Sequence, residues 1–395
     1  HGFKAYAVGG CIRDSILGRN PDDWDITTSA VPSQIKTFFK RTVDTGIAHG
    51  TVTIMIDKTG YEVTTYRIDG EYEDGRHPKS VEFSDRLVDD LCRRDFTINA
   101  MAYNDTDGFV DEFKGLDDLD AKIIRCVGEP ELRFTEDALR MMRAIRFSAQ
   151  LGFTINEATW SAIKKLAPSI SKISMERVHV ELGKTLMSAH PDYVAEYSEA
   201  GLFEPILPVV DNALKSRYNK KILAILRHVP DNIYLRYAAL FITSTPDEAA
   251  KTLRALKLDN KTVDTVSKLV ELSKIDIEET EPAVRTALNK YGRDFLPLWH
   301  ELMMAVLQAS EDIIGISNPA KVKHLLTLKR LATDILARGD CFTIKDLDIS
   351  GNDLIEYGLQ GHEIGETLKS LLDIVIENPK LNDKATLIAM IEHIK

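Results

Sequence analysis

The sequence predicts an α+β domain built on a small mixed sheet, followed by a long all-α region. Three observations lead there. Over roughly the first 120 residues, β-like runs (KAYAV, TVTIMI, YEVTTYR) alternate with short helical ones (PSQIKTFFK, LVDDLCRR). Beyond about residue 125 the β signals fade, and EDALRMMRAIRFSAQLG opens a series of amphipathic segments joined by Pro, Asn and Asp turns. With 395 residues and 44% hydrophobic content, the chain can bury several cores. No run of about 18 apolar residues and no charged-then-apolar leader is visible, so neither a membrane span nor a secretory signal is expected. The chain opens almost directly on a strand, from which a short further segment ahead of it is expected.

The elements carry chemistry in order. AYAVGGCIRDSILG reads as strand, glycine turn and helix start, with Ile12, Ile16 and Leu17 on one face. Backbone N–H groups at Gly9 and Gly10, with Arg13 one turn on, suit a triphosphate. In NPDDWDITTSA, Asp23 and Asp25 stand two apart in extended chain, so both carboxylates share a face. Such neighbours repel unless a cation joins them; a polar turn leading into Ile26 is the ordinary alternative. Glu62, in YEVTTYR, is the candidate third carboxylate on a neighbouring strand. In LVDDLCRRDFTINAMAYN, Arg94 suits a phosphate and Asp95 a ribose hydroxyl, with Asn99 following.

GEPELRFTEDALRMMR places Glu136, Asp137, Arg140 and Arg143 at helical spacings of three and four. The helix continues through Arg146, with Leu139, Met142, Ile145 and Phe147 as its apolar stripe and Gly152 just past its end. Base choice follows from hydrogen-bond patterns. Cytosine and adenine both present an amino donor beside a ring-nitrogen acceptor, whereas uracil and guanine reverse them. One carboxylate and one arginine therefore accept C and A and reject U and G. Asp137 and Arg140 supply that pair, and Glu136 steadies Arg140 at i,i+4.

The net charge of −11 argues against nucleic-acid coating by bulk charge. Its distribution is uneven. Residues 1–121 carry 14 basic and 23 acidic groups, and residues 122–190 carry 11 and 7. An acidic, metal-ready domain beside a basic helical segment suits a polymerising enzyme. Cys11, Cys92, Cys126 and Cys341 are scattered, without zinc spacing, as free thiols in a reducing cytoplasm would be.

Taken together, GGCIRDSILGRNPDDWDITTSA, RRDFTINAM and RFTEDALRMMRAIRF resemble the successive signatures of class II tRNA nucleotidyltransferases, the CCA-adding enzymes and their poly(A) polymerase relatives. The resemblance extends through DGEYEDGRHPKSVEF, VDEFKGLDDLDAKIIRCVG, ISMERVHVE and the glycine-spaced tail. It implies a nucleotidyltransferase head over 1–124, a base-recognising neck over 125–187, a body over 188–270 and a tRNA-binding tail over 271–395. It implies two Mg2+ ions on Asp23 and Asp25, with Glu62 catalytic. A nucleotide site is implied on Gly9, Gly10, Arg13, Arg94, Asp95, Asn99, Asp137, Arg140, Arg143 and Arg146. The substrates are then CTP and ATP, and the partner is tRNA, held at its acceptor stem and elbow. Neither membrane nor DNA is expected as a partner.

RIDGEYEDGRHPKSVEF looks like the family's mobile loop, used in switching from C to A addition. Its presence argues against a CC-only enzyme; full CCA synthesis is expected, with a poly(A) polymerase or a CC- or A-adding enzyme of the same family as the alternative. Many bacterial relatives carry a His-Asp phosphohydrolase site after AALL. Here Phe241-Ile242-Thr243 stands in its place, and that activity is expected to be absent. Gly351, Gly358, Gly361 and Gly365 suit either close backbone approach to a ligand or helix caps. A non-catalytic RNA-binding protein would be expected to lose the aspartate pair or Arg94. A small-molecule nucleotidyltransferase would not need the helical extension.

Overall fold

The computed structural model describes residues 1–70 and 80–394; most of the expected mobile loop lies outside the described residues. The chain forms two compact units, His1–Lys215 and Ser216–Lys395. The boundary falls within the segment that the resemblance assigns to the body.

The first unit begins with β1 (Ala5–Val8), α1 (Gly10–Ile16), β2 (Asp25–Thr28), α2 (Pro32–Phe38), β3 (Thr42–Gly46), β4 (Thr51–Ile56) and β5 (Thr59–Thr65). A short antiparallel pair, β6 (Arg67–Asp69) and β7 (Val81–Phe83), precedes α3 (Leu87–Cys92), β8 (Ala102–Asn104), β9 (Gly108–Val110) and α4 (Gly115–Asp120). The main sheet has seven strands in the order β3-β4-β5-β2-β1-β8-β9. Only β2 and β5 run parallel within it. Its two faces follow from period-two burial. Tyr6 and Val8 pack with Leu91 and Ala102 on one side, and Val52, Ile54 and Val63 pack with Ile35 of α2 on the other.

Helices then take over: α5 (Pro130–Glu136), α6 (Leu139–Leu151), α7 (Glu157–Leu166), α8 (Met175–Leu186), α9 (Val194–Glu199) and α10 (Pro208–Lys215). Gly152 ends α6 in the left-handed conformation, and its N–H donates to Ser148 O. Two departures from the sequence reading occur here. A two-residue strand, β11 (Thr154–Ile155), pairs in parallel with β10 (Ile123–Ile124), so the region after 125 is not wholly α. The stretch from Glu136 is also not one helix. Asp137 is extended (φ −143°, ψ 104°), and its carboxylate accepts from the Leu139 N–H, diverting the backbone before α6 starts.

The second unit is helical: α11 (Asn219–His228), α12 (Ile233–Leu240), α13 (Pro246–Ala255), α14 (Asn260–Leu272), α15 (Glu281–Tyr291), α16 (Phe295–Ile314), α17 (Pro319–Arg338), α18 (Gly351–Glu356), α19 (His362–Glu377) and α20 (Lys384–Ile394). Thr245 and Ser350 open helices with reciprocal caps from Glu248 and Asp353. Phe241 and Ile242 are buried in its core. Arg285 is also buried; it donates to Asp340 and to the Ile376 carbonyl, joining α15 to α19. Gly358 and Gly361 adopt positive φ beside helix ends, while Gly365 lies inside α19, so the first two serve turns. Among the described residues, no helix is long and apolar enough to cross a membrane.

Candidate active site

A cleft of about 660 Å3 lies in the first unit. Gly9, Gly10, Arg13, Asp23, Asp25, Arg94, Asp95, Asn99, Arg143 and Arg146 all line it. Glu62, Glu136, Asp137 and Arg140 do not.

The β1–α1 turn forms its floor. Gly9 has φ +85°, a backbone conformation that favours glycine, and Arg94 lies close across the turn, its Nη1 2.9 Å from where a Cβ would stand. Asp90, buried on α3, pairs with Arg93 at 2.7 Å and Arg94 at 3.3 Å, and it accepts a hydrogen bond from Thr27 of β2. Burial works to raise its pKa, but the two guanidinium groups outweigh that and hold it low. From Arg13 a chain of hydrogen bonds crosses the cleft. Arg13 Nη1 donates to Asn99 Oδ1 (2.7 Å), Asn99 Nδ2 to Asp95 Oδ1 (3.1 Å), and Arg143 Nε to Asp95 Oδ2 (2.7 Å). Burial alone would push the Asp95 carboxyl up; Arg143, Asn99 and Arg140 together hold it well below the usual carboxylate range.

Asp23 and Asp25 stand differently. Asp25 opens β2 with Asp23 just ahead, and neither forms an ion pair or side-chain hydrogen bond among the described residues. The Asp25 pKa is raised, first by partial desolvation against the cleft wall and then by the charge of Asp23; Arg94 offsets part of this. Glu62 is the strand partner of Asp25 in the β2–β5 register. Its side chain is exposed, and no three carboxylate, imidazole or thiolate groups gather at metal-binding distance among the described residues.

The base-reading candidates flank the cleft. Arg140 Nη1 donates to Glu136 Oε2 (2.5 Å), as the i,i+4 spacing predicts, and Nη2 donates to the Arg93 carbonyl (3.0 Å). Asp137 meets Arg177 of α8 through both oxygens, at 3.2 and 2.7 Å. Sequence reading missed Arg177 as well as Phe147, whose ring has the guanidinium carbons of Arg13, Arg143 and Arg146 at 5.0, 5.3 and 3.9 Å from its centroid. It also missed Glu181, the ion-pair partner of Arg146, and the far wall at Lys184 and Ser188. ISMERVHVE carried Arg177 and Glu181 at i,i+4, a spacing that marks one face but not what the face meets.

Three family descriptions match the chain in succession. They are the poly A polymerase head domain (residues 5–125), "Probable RNA and SrmB- binding site of polymerase A" (152–214) and domain 2 of tRNA nucleotidyltransferase (232–391). The CCA-adding enzyme of Latilactobacillus sakei is 38% identical over 94% of this chain and 89% of its own length. That of Leuconostoc mesenteroides is 35% identical over 97% and 90%. The crystal structure of the Bacillus stearothermophilus CCA-adding enzyme in complex with CTP superposes with a TM-score of 0.76 at 32% identity, covering 100% of this chain and 93% of that one. Relatives this similar along nearly the whole chain, on a head-and-helix architecture of the same kind, place it in the class II CCA-adding enzymes of the tRNA nucleotidyltransferase and poly(A) polymerase family.

Proposed function

We propose that the cleft carries out template-independent addition of CCA to the 3′ end of tRNA from CTP and ATP, releasing pyrophosphate. One observation carries the assignment of chemistry to this cleft. It sets two carboxylates that form no ion pair among the described residues beside a wall of arginines. The like-charged pair suits Mg2+, which takes one or two carboxylates and completes its shell with substrate phosphate and water. Asp23 and Asp25 would hold it, with Glu62 as the third carboxylate. When bound, Mg2+ neutralises charge on the attacking and leaving oxygens of an in-line displacement at the α-phosphate.

The remaining roles fall to the chain itself. Arg13, Arg94, Arg143 and Arg146 bind the triphosphate over Gly9 and Gly10, and Asp95 with Asn99 receives the ribose hydroxyl. Asp137 accepts from the base amino group while Arg140 donates to the ring nitrogen; Glu136 keeps Arg140 aimed. The head spans 1–124 and the neck 125–187. The body (188–270) and tail (271–395) hold the acceptor stem and elbow. The setting is the cytoplasm, where CTP, ATP and tRNA are available and four free cysteines stay reduced.

The test is to incubate the protein with Mg2+ and tRNA transcripts ending before CCA, after C and after CC. CTP and ATP are supplied singly and together, and product ends are sequenced. Completion of all three to CCA is expected. Addition confined to C, confined to A, or running into an A-tract would move the chain to a sibling activity.

A further inference from the structure

The cations lining the cleft divide by depth. Arg13, Arg94, Arg143 and Arg146 are buried or half-buried, and each is paired, with Asp14, Asp90, Asp95 and Glu181 in turn. Arg19 and Lys184 also line it, but both are exposed, and neither side chain forms an ion pair or hydrogen bond among the described residues. Their backbones are nonetheless held. The Arg19 N–H donates to the Asp14 carbonyl at 2.8 Å, closing the turn after α1, and four residues of chain keep its Cα within about 14 Å of that of Asp23. Lys184 stands in the last turn of α8, between Leu182 and Thr185, which are wholly buried. Met187, three residues on and 39% exposed, lines the same wall.

We propose that Arg19 and Lys184 grip the 3′-terminal strand of the tRNA by pairing with its backbone phosphates, so that the terminal hydroxyl reaches Asp23 and Asp25. The inference rests on the reading of the cleft as the polymerising site. An RNA strand entering here faces Asp14, Asp22, Asp23, Asp25 and Asp95 on the lining, within a segment whose residues 1–121 carry 14 basic against 23 acidic groups. Its phosphates need local cations to offset that repulsion. The inner arginines are already held by carboxylates, whereas Arg19 and Lys184 meet a phosphate without breaking a pair. Met187 beside Lys184 adds a polarizable apolar surface on which a base can lie. The phosphates of the incoming nucleotide carry the same charge as those of the strand, and the two sources are separated by which substrate responds when the cations are removed.

Arg19→Ala and Lys184→Ala, with Arg19→Lys and Lys184→Arg as charge-retaining counterparts, test this in the full chain. The kcat/KM for tRNA ending in CC is measured at saturating ATP over a series of salt concentrations, and the KM for ATP at saturating tRNA, with Tm recorded for each variant. Each alanine variant is expected to lower kcat/KM for tRNA by about three- to tenfold. It should also make the fall with salt shallower, by about 0.7 in the slope of log kcat/KM against log salt. The KM for ATP and the Tm should stay at wild-type values, and the charge-retaining variants should recover most of the loss. A higher KM for ATP with unchanged kcat/KM for tRNA would assign these cations to the triphosphate and overturn the inference, as would no change in either. Wild-type protein that adds nothing to any tRNA would overturn the reading of the cleft itself, and the inference with it.

Discussion

The cleft and its surroundings keep carboxylates under two regimes. Asp95 in the cleft and, outside its lining, Asp90 and Asp137 each meet at least one guanidinium group within 3.3 Å, whereas Asp23 and Asp25 meet none among the described residues. The difference separates carboxylates already held by a protein cation from those left to a cation that arrives. A paired carboxylate is satisfied by the protein and contributes to its stability; an unpaired, like-charged pair is satisfied only by something that arrives. Replacing members of the two sets should therefore damage different properties.

The largest effect belongs to the unpaired set. Asp25→Ala should lower addition of both nucleotides on the order of a thousandfold while tRNA affinity and Tm stay near wild type. Near-normal turnover in a Mg2+ titration of this variant would erase the distinction. Next, Arg140→Gln should relax base choice before catalysis fails, with misincorporation of U and G rising on the order of a hundredfold, read by sequencing product ends. Retained C and A selectivity would refute that role.

Asp95→Asn tests the paired set and should lower stability by about 2 kcal/mol in urea melts, because Arg143 loses its partner. Its pH dependence has a definite sign. The folded pKa of Asp95 lies below its ordinary value of 3.8, so the stabilisation is complete above that value and fades as pH falls toward the folded value. The stability gap between wild type and Asp95→Asn should be constant above about pH 5 and close below about pH 4. Gly9→Ala, forced to positive φ and against Arg94, should cost about 1–2 kcal/mol and raise the KM for both nucleotides. The smallest effect is Lys165→Ala, which breaks an exposed pair with Glu131 and should change stability by less than about 1 kcal/mol.

Local chemistry made much of this legible. The β1–Gly9–α1 turn, the α6 stripe ending at Gly152, and Glu62 on the strand beside Asp25 each follow from spacing and period. Asp137 misled, because TEDALRMM keeps helical periodicity while a side-chain hydrogen bond to the backbone redirects the chain. Arg177 and Glu181 lie 40 and 35 residues from the partners they meet, a separation at which periodicity carries no information. Phe147 was read as stripe, which it is, but a local pattern could not reveal that three arginines from two helices surround its ring.

The ring of cations around Phe147 has a consequence for turnover. Arg13, Arg143 and Arg146 already rest on Asp14, Asp95 and Glu181. On the triphosphate reading proposed above, an incoming polyanion would trade partners with the protein instead of filling an empty positive hole. Such exchange weakens retention at both ends of the reaction. On the same reading, the departing pyrophosphate would leave behind arginines with carboxylates ready to reclaim them, and the cleft would clear for the next nucleotide.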